Sequence, residues 1–208
     1  MKLNRYIVIS FVCMIQSCSF IHFMGTKDPV DKSESEIANY LQQEGFEFHD
    51  YSFQLPKENI DSLGVKNHVL DVWKFERGTE QSTIQLRIYD STGHLINGYA
   101  QCYGEMNRIN ILSEKEFKKF TQFPNNYALV FSDEPKIWNL SFAQQQIIQN
   151  KSAEKKYTFV IYWNIWSNHY SKVIFKNLKK YLNKYDMREN SLIIFVNTDN
   201  IPHSDLQQ

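Results

Sequence analysis

Few side chains in this 208-residue chain have the types and spacing for covalent or metal chemistry. Its six histidines (His22, His49, His68, His94, His169 and His203) are scattered, without the close spacing of metal ligands. Ser167 and His169 stand two apart at the start of a predicted helix. A nucleophile and its base are recognised by geometry and by an orienting acid, not by nearness in sequence. No Gly-x-Ser-x-Gly turn surrounds Ser167. Ser167 and Asn168 are therefore expected to cap the helix. Cys102 has Gln101, Tyr103 and Glu105 around it, none of them a cation that would lower a thiol pKa. The expected role of Cys102 is that of a small buried hydrophobe. Trp163 and Trp166 are expected to pack in the core and at its rim.

The N-terminus holds chemistry of another kind. Met1–Tyr6 has two cations, Lys2 and Arg5, and no acid, and Ile7–Ile15 is almost wholly apolar. That is the pattern of a secretory signal. The apolar run is under half of the roughly 20 residues a bilayer-spanning helix needs. It ends in Ile15-Gln16-Ser17-Cys18, which resembles the bacterial lipobox: an aliphatic residue three before the cysteine and a small one just before it. Gln16 departs from the residue usual there. The resemblance implies that Cys18 is diacylated, that residues 1–17 are cut off, and that acyl chains hold the remainder on a membrane at roughly 0.8 kcal/mol per buried methylene. Second to this comes an uncut anchor over Tyr6–Met24, and third a cleavage near Ser19. With Cys13 removed and Cys18 acylated, only Cys102 is left of the three cysteines, and one thiol closes no intramolecular disulfide.

Charge excludes one class of partner. Lys and Arg number 23 and Asp and Glu 23, so no cationic footprint for nucleic acid is present. Hydrophobic residues make up 42%, enough for a core. Gly25–Ser35 reads as a polar tether. Ser33, Ser35 and Glu36 mark a helix start, with Ile37, Tyr40 and Leu41 at helical spacing and Gly45 as the stop. Phe46–Phe53 alternates loosely, as a strand does. His68–Arg77, Ser82–Asp90 and His94–Cys102 read as strands, with a turn at Asp90–Gly93, and together predict an antiparallel meander. Ser113 and Glu116 have capping-box spacing for a helix to Phe123. Beyond it come a strand at Tyr127–Phe131, a helix at Leu140–Gln149 capped by Ser141, a buried strand at Tyr157–Trp163, a helix at Tyr170–Tyr185 and a buried strand at Leu192–Asn197. Strands alternating with helices imply parallel crossovers.

The segment Phe159–Tyr170 (FVIYWNIWSNHY) resembles thioredoxin-like domains, which carry an apolar strand, an aromatic–Trp–small–x–Trp segment and then Cys-x-x-Cys opening a long helix. Tyr162, Trp163 and Trp166 match, while Ser167-Asn168-His169-Tyr170 stands where the cysteine pair would be. The resemblance spans about 70 residues, from Tyr127 to Asp199. It implies a βαβαβ core without dithiol–disulfide exchange, because that chemistry needs one thiolate to attack and a second thiol to resolve. A bare edge on such a core would invite aggregation, so the Val69–Cys102 meander is expected to pair there and complete one mixed sheet.

The expected organisation is a signal over 1–17, a lipid-anchored tether over 18–35, an α+β region over 36–123 and an incomplete thioredoxin-like region over 124–208. The expected class is α/β. The expected protein is a lipoprotein of the cell envelope, facing the periplasm or exterior. It binds a peptide or protein partner rather than catalysing a reaction, and it uses no cofactor. The alternatives are an exported enzyme of another class using Cys102 or His169, and a purely structural envelope protein.

Overall fold

The computed structural model describes residues 30–57, 84–100 and 130–200. Cys18, Cys102, His68–Arg77 and Ser113–Phe123 lie outside them. The elements are α1 (Glu34–Gln43), β1 (Tyr51–Gln54), β2 (Gln85–Asp90), β3 (Leu95–Ala100), α2 (Glu134–Ile137), α3 (Phe142–Ala153), β4 (Tyr157–Trp163), α4 (Asn168–Lys184) and β5 (Ser191–Asn197).

The strands form one mixed five-stranded sheet in the order β1-β5-β4-β2-β3. β1 and β4 run parallel to β5, β2 is antiparallel to β4, and β3 is antiparallel to β2. The protein is thus α/β, with a hairpin paired onto the edge of a parallel trio. All seven residues of β5 are buried, and six of seven in β4. Strands covered on both faces need such continuous apolar runs.

Helices cover both faces. On one side, Ile37 and Leu41 of α1 and Ile174, Phe175, Leu178 and Leu182 of α4 pack on Leu86, Ile88, Phe159, Ile161, Ile193 and Phe195. On the other, Trp138, Phe131 and Ile148 of α3 pack on Tyr89, Val160, Tyr162, Leu192, Ile194 and Val196. Alternate strand residues divide between these cores, as a two-residue period requires.

Local signals explain several boundaries. Ser33 accepts the Glu36 N–H while Glu36 accepts the Ser33 N–H, and Ser141 and Gln144 do the same for α3. These are reciprocal capping boxes. Gly45 follows α1 at φ +67°, where a side chain would be strained. Between β2 and β3, Asp90 Oδ1 accepts the Thr92 and His94 N–H groups at 2.9 and 3.0 Å, and Gly93 takes φ +82°.

One expectation fails. The strand at Tyr127–Phe131 is not formed by its described residues. Val130 makes an isolated bridge to His94, and Phe131–Asp133 is a 3-10 turn leading into α2. Pro135 favours a first helical turn at this point, and Phe131 turns in against Tyr89 and Trp138. The third parallel strand is β1, from the N-terminal half. Of the expected meander, Ser82–Asp90 and His94–Cys102 supply the β2–β3 hairpin, which pairs onto β4 in one mixed sheet, while His68–Arg77 lies outside the described residues.

Candidate functional site

β4 and β5 are adjacent parallel strands, and both end at one rim of the sheet. Ligands of open α/β sheets bind outside the carboxyl ends of such strands. Here that rim is filled by hydrogen bonds of the chain itself. Asn164, fully buried after β4, donates its N–H to Ser171 Oγ (3.3 Å) and accepts Ser171 O–H on its carbonyl (2.7 Å). Its side-chain oxygen accepts the Ser167 N–H at 2.8 Å. From the end of β5, Thr198 donates its N–H to the Trp163 carbonyl at 2.7 Å. The Asp199 carboxylate accepts the N–H groups of Ile165 (2.9 Å) and Trp166 (3.3 Å) and the Asn197 side-chain amide (2.6 Å). Burial pushes the Asp199 carboxyl above its usual value, against these donors, which favour the anion.

The residues singled out in this turn do not converge. Trp166 and Ser167 are buried, at 5% and 4% exposure, and Tyr170 is buried with its phenol pKa pushed up by desolvation. His169 is exposed, its ring against Tyr170 at 5.8 Å. Ser167 therefore lies inside and His169 outside. The capping expectation is corrected as well. Ser167 sits at the N-cap of α4 but its side chain makes no capping bond, and the Asn164 side chain takes the Ser167 N–H instead. Asn168 accepts the Tyr40 hydroxyl at 2.6 Å, and the Tyr40 ring stacks on Trp163 at 5.6 Å. Burial, then the charges of Glu44 and Asp199, push the Tyr40 phenol well above its ordinary value, so it remains a donor.

A second cluster gives little sign of itself in the sequence. Arg87 on β2 and Glu134 at the start of α2 form an ion pair at 2.7 Å, with side chains 2% and 1% exposed. Tyr89 and Tyr162 both donate their hydroxyls to Glu134. Trp138 Nε1 donates to the Tyr162 hydroxyl at 3.1 Å, and Gln85 accepts two Arg87 N–H groups at 3.1 and 2.8 Å. The guanidinium also lies 4.8 Å from the Tyr162 ring centre. Burial pushes both phenols far up, reinforced by the Glu134 charge, so both remain protonated donors. Burial opposes the Arg87 charge, but Glu134 together with Tyr162 and Tyr89 outweighs it and holds the guanidinium ionised. Polar Gln85, Arg87 and Tyr89 on one face of an alternating strand were the available signal. The network binds α2 to the sheet and is closed to solvent, so its chemistry is architectural.

Among the described residues no group of three or more His, Cys, Asp or Glu side chains is placed to hold a metal ion. Among them, too, no helix is long and apolar enough to cross a membrane. Among the described residues, a groove of about 690 Å³ lies between α1, β1 and the Trp138–Leu140 turn. No protein family, no curated protein and no solved structure matches the chain.

Proposed function

We propose that this is an exported lipoprotein, anchored through Cys18, whose thioredoxin-like framework binds a peptide or protein partner without redox chemistry. The observation that carries the reading is the turn Trp166–Tyr170. Ser167 and Tyr170 occupy the places where the resemblance puts the cysteine pair. Both are buried, and neither side chain exchanges disulfides. The backbone N–H groups of Ile165, Trp166 and Ser167 are taken up by Asp199 and Asn164, which leaves these donors unavailable to stabilise a reacting oxyanion.

Two further observations support the framework. β4, the turn, α4 and β5 follow one another as the resemblance requires, with β4 and β5 parallel. The β2–β3 hairpin pairs on the free side of β4, the edge that a three-strand core would leave bare. The anchor rests on the apolar run and Ile15-Gln16-Ser17-Cys18.

Mass spectrometry of the mature protein tests the anchor, and an insulin-reduction assay tests the absence of redox turnover. Diacylglyceryl-Cys18 as the first residue and no reduction above background are expected. An unmodified Cys18 refutes the anchor, and dithiol turnover refutes the binding role.

A further inference from the structure

We infer that the groove along β1 takes an extended cationic–apolar peptide, which adds to the sheet as a strand. The inference rests on the binding role proposed above but places the site away from the Trp166 turn, whose indole is buried.

β1 is an edge strand. β5 pairs with one of its sides, and no described strand pairs with the other. A strand edge presents a row of backbone donors and acceptors to any chain that can lie beside it. Residues from both helical layers meet around this edge. Ile37 and Leu41 come from the α1 side, and Trp138 from the opposite core. Phe53 and Trp138 line the groove and stack at 5.3 Å, and Phe53 also stacks on Tyr51 at 6.1 Å, so the wall is partly aromatic. The volume of about 690 Å³ lies in the range of ligand sites. Strand addition of this kind draws affinity from main-chain hydrogen bonds and specificity from pockets for alternate side chains.

Charge selects the occupant. Glu34 and Glu47 line the groove and are both exposed. Three neighbouring cations are engaged elsewhere: Lys32 with Glu36 at 3.1 Å, Lys172 with Glu44 at 2.7 Å, and Arg188 with Asp50 at 2.8 Å. Among the described residues neither Glu34 nor Glu47 forms such an ion pair. The rim is therefore acidic over an apolar wall. A second copy offering the same edge would bring its own Glu34 and Glu47 against these carboxylates, so self-pairing is disfavoured. A peptide alternating apolar residues with Lys or Arg satisfies wall and rim together, because successive side chains point to opposite faces.

The test is fluorescence anisotropy on the full chain in detergent micelles. The probes are a labelled acetyl-(Lys-Val)3-amide, its (Glu-Val)3 counterpart, and the lysine peptide N-methylated at alternate residues. Saturable binding of the lysine peptide is expected, weaker by about tenfold or more for either of the others. The exposed substitutions Glu34→Gln and Glu47→Gln together should weaken it several-fold and flatten its salt dependence. Equal binding of the acidic peptide overturns the charge argument, and equal binding of the N-methylated peptide overturns strand addition. Absence of saturable binding, as when a segment of this chain or a second copy fills the edge, overturns the site. Redox turnover would sink the binding role alone, whereas these peptide results bear on the groove alone.

Discussion

Replacing Glu134 with Gln removes the only carboxylate in contact with the buried Arg87 among the described residues, while keeping the shape of the side chain. The Arg87 side chain is left charged at 2% exposure. Breaking a buried pair from one side costs about 3–5 kcal/mol, because the surviving charge is desolvated without compensation. The two phenols that donate to Glu134 add to the loss, since an unsatisfied buried donor costs about 1–3 kcal/mol. The amide retains an oxygen for one of them, so the terms do not sum, and a total of about 3–5 kcal/mol is expected. Domains are stable by about 5–15 kcal/mol in all, so the variant should unfold at far lower urea. Arg87→Met in the same background removes the stranded charge. The double variant should be more stable than the two single losses predict, by at least about 1 kcal/mol. Equilibrium urea unfolding followed by tryptophan fluorescence reads all four species, with Trp138 reporting from within the network. A loss below about 1 kcal/mol for Glu134→Gln, or a double variant that is simply additive, would refute the claim that Arg87 depends on Glu134.

Two acid-range predictions follow from single carboxylates. The Ser33 backbone N–H, then the side chains of Lys32 and Ser33, hold Glu36 down to about 2, so its stabilisation is present above 4.5 and disappears as pH falls through about 2. A carbon-detected NMR titration should place its midpoint near that value, and a midpoint above 4 would show the capping box absent in solution. Asp199 behaves in the opposite sense. Its folded pKa lies above the ordinary 3.8 because of burial, so the folded protein binds the proton more tightly than the unfolded chain does. Stability from this group is fullest below 3.8 and is lost as pH rises through the folded value. Asp199→Asn should remove that component of the slope in urea unfolding across acid pH, whatever its offset, and an unchanged slope would assign the titration to another group.

The features legible in the sequence are those decided by neighbours. Ser33 with Glu36 and Ser141 with Gln144 announce their helices, because a capping box is closed within four residues. Asp90–Gly93 announces its turn for the same reason, and the apolar runs of β4 and β5 betray strands covered on both sides. What stayed hidden depends on distant partners. β1 is four residues long, and only its pairing with β5, some 140 positions on, makes it the third parallel strand. Phe131 reads as strand by composition, but Pro135 and a place beside Trp138 draw it into a turn. Ser167 stands where a cap belongs, yet Asn164 reaches its N–H first. Arg87 could be flagged as polar on an alternating strand. Its partner Glu134 lies 47 residues away, and no local pattern joins them.

The strand order also dictates when the sheet can exist. β1 and β2 are never neighbours; β5 and β4 stand between them, and both come from the last quarter of the chain. A ribosome delivering the chain from its N-terminus therefore releases three strands before either central one appears. During that interval β1 and the hairpin expose the flanks that β5 and β4 will cover, and unpaired flanks are where chains stick to one another. Closing the sheet waits on contacts of long sequence separation, which makes it slow. The fold is thus completed from the middle and last, and a chain cut short before Ser191 would keep β4 beside the hairpin but leave β1 without the strand it joins.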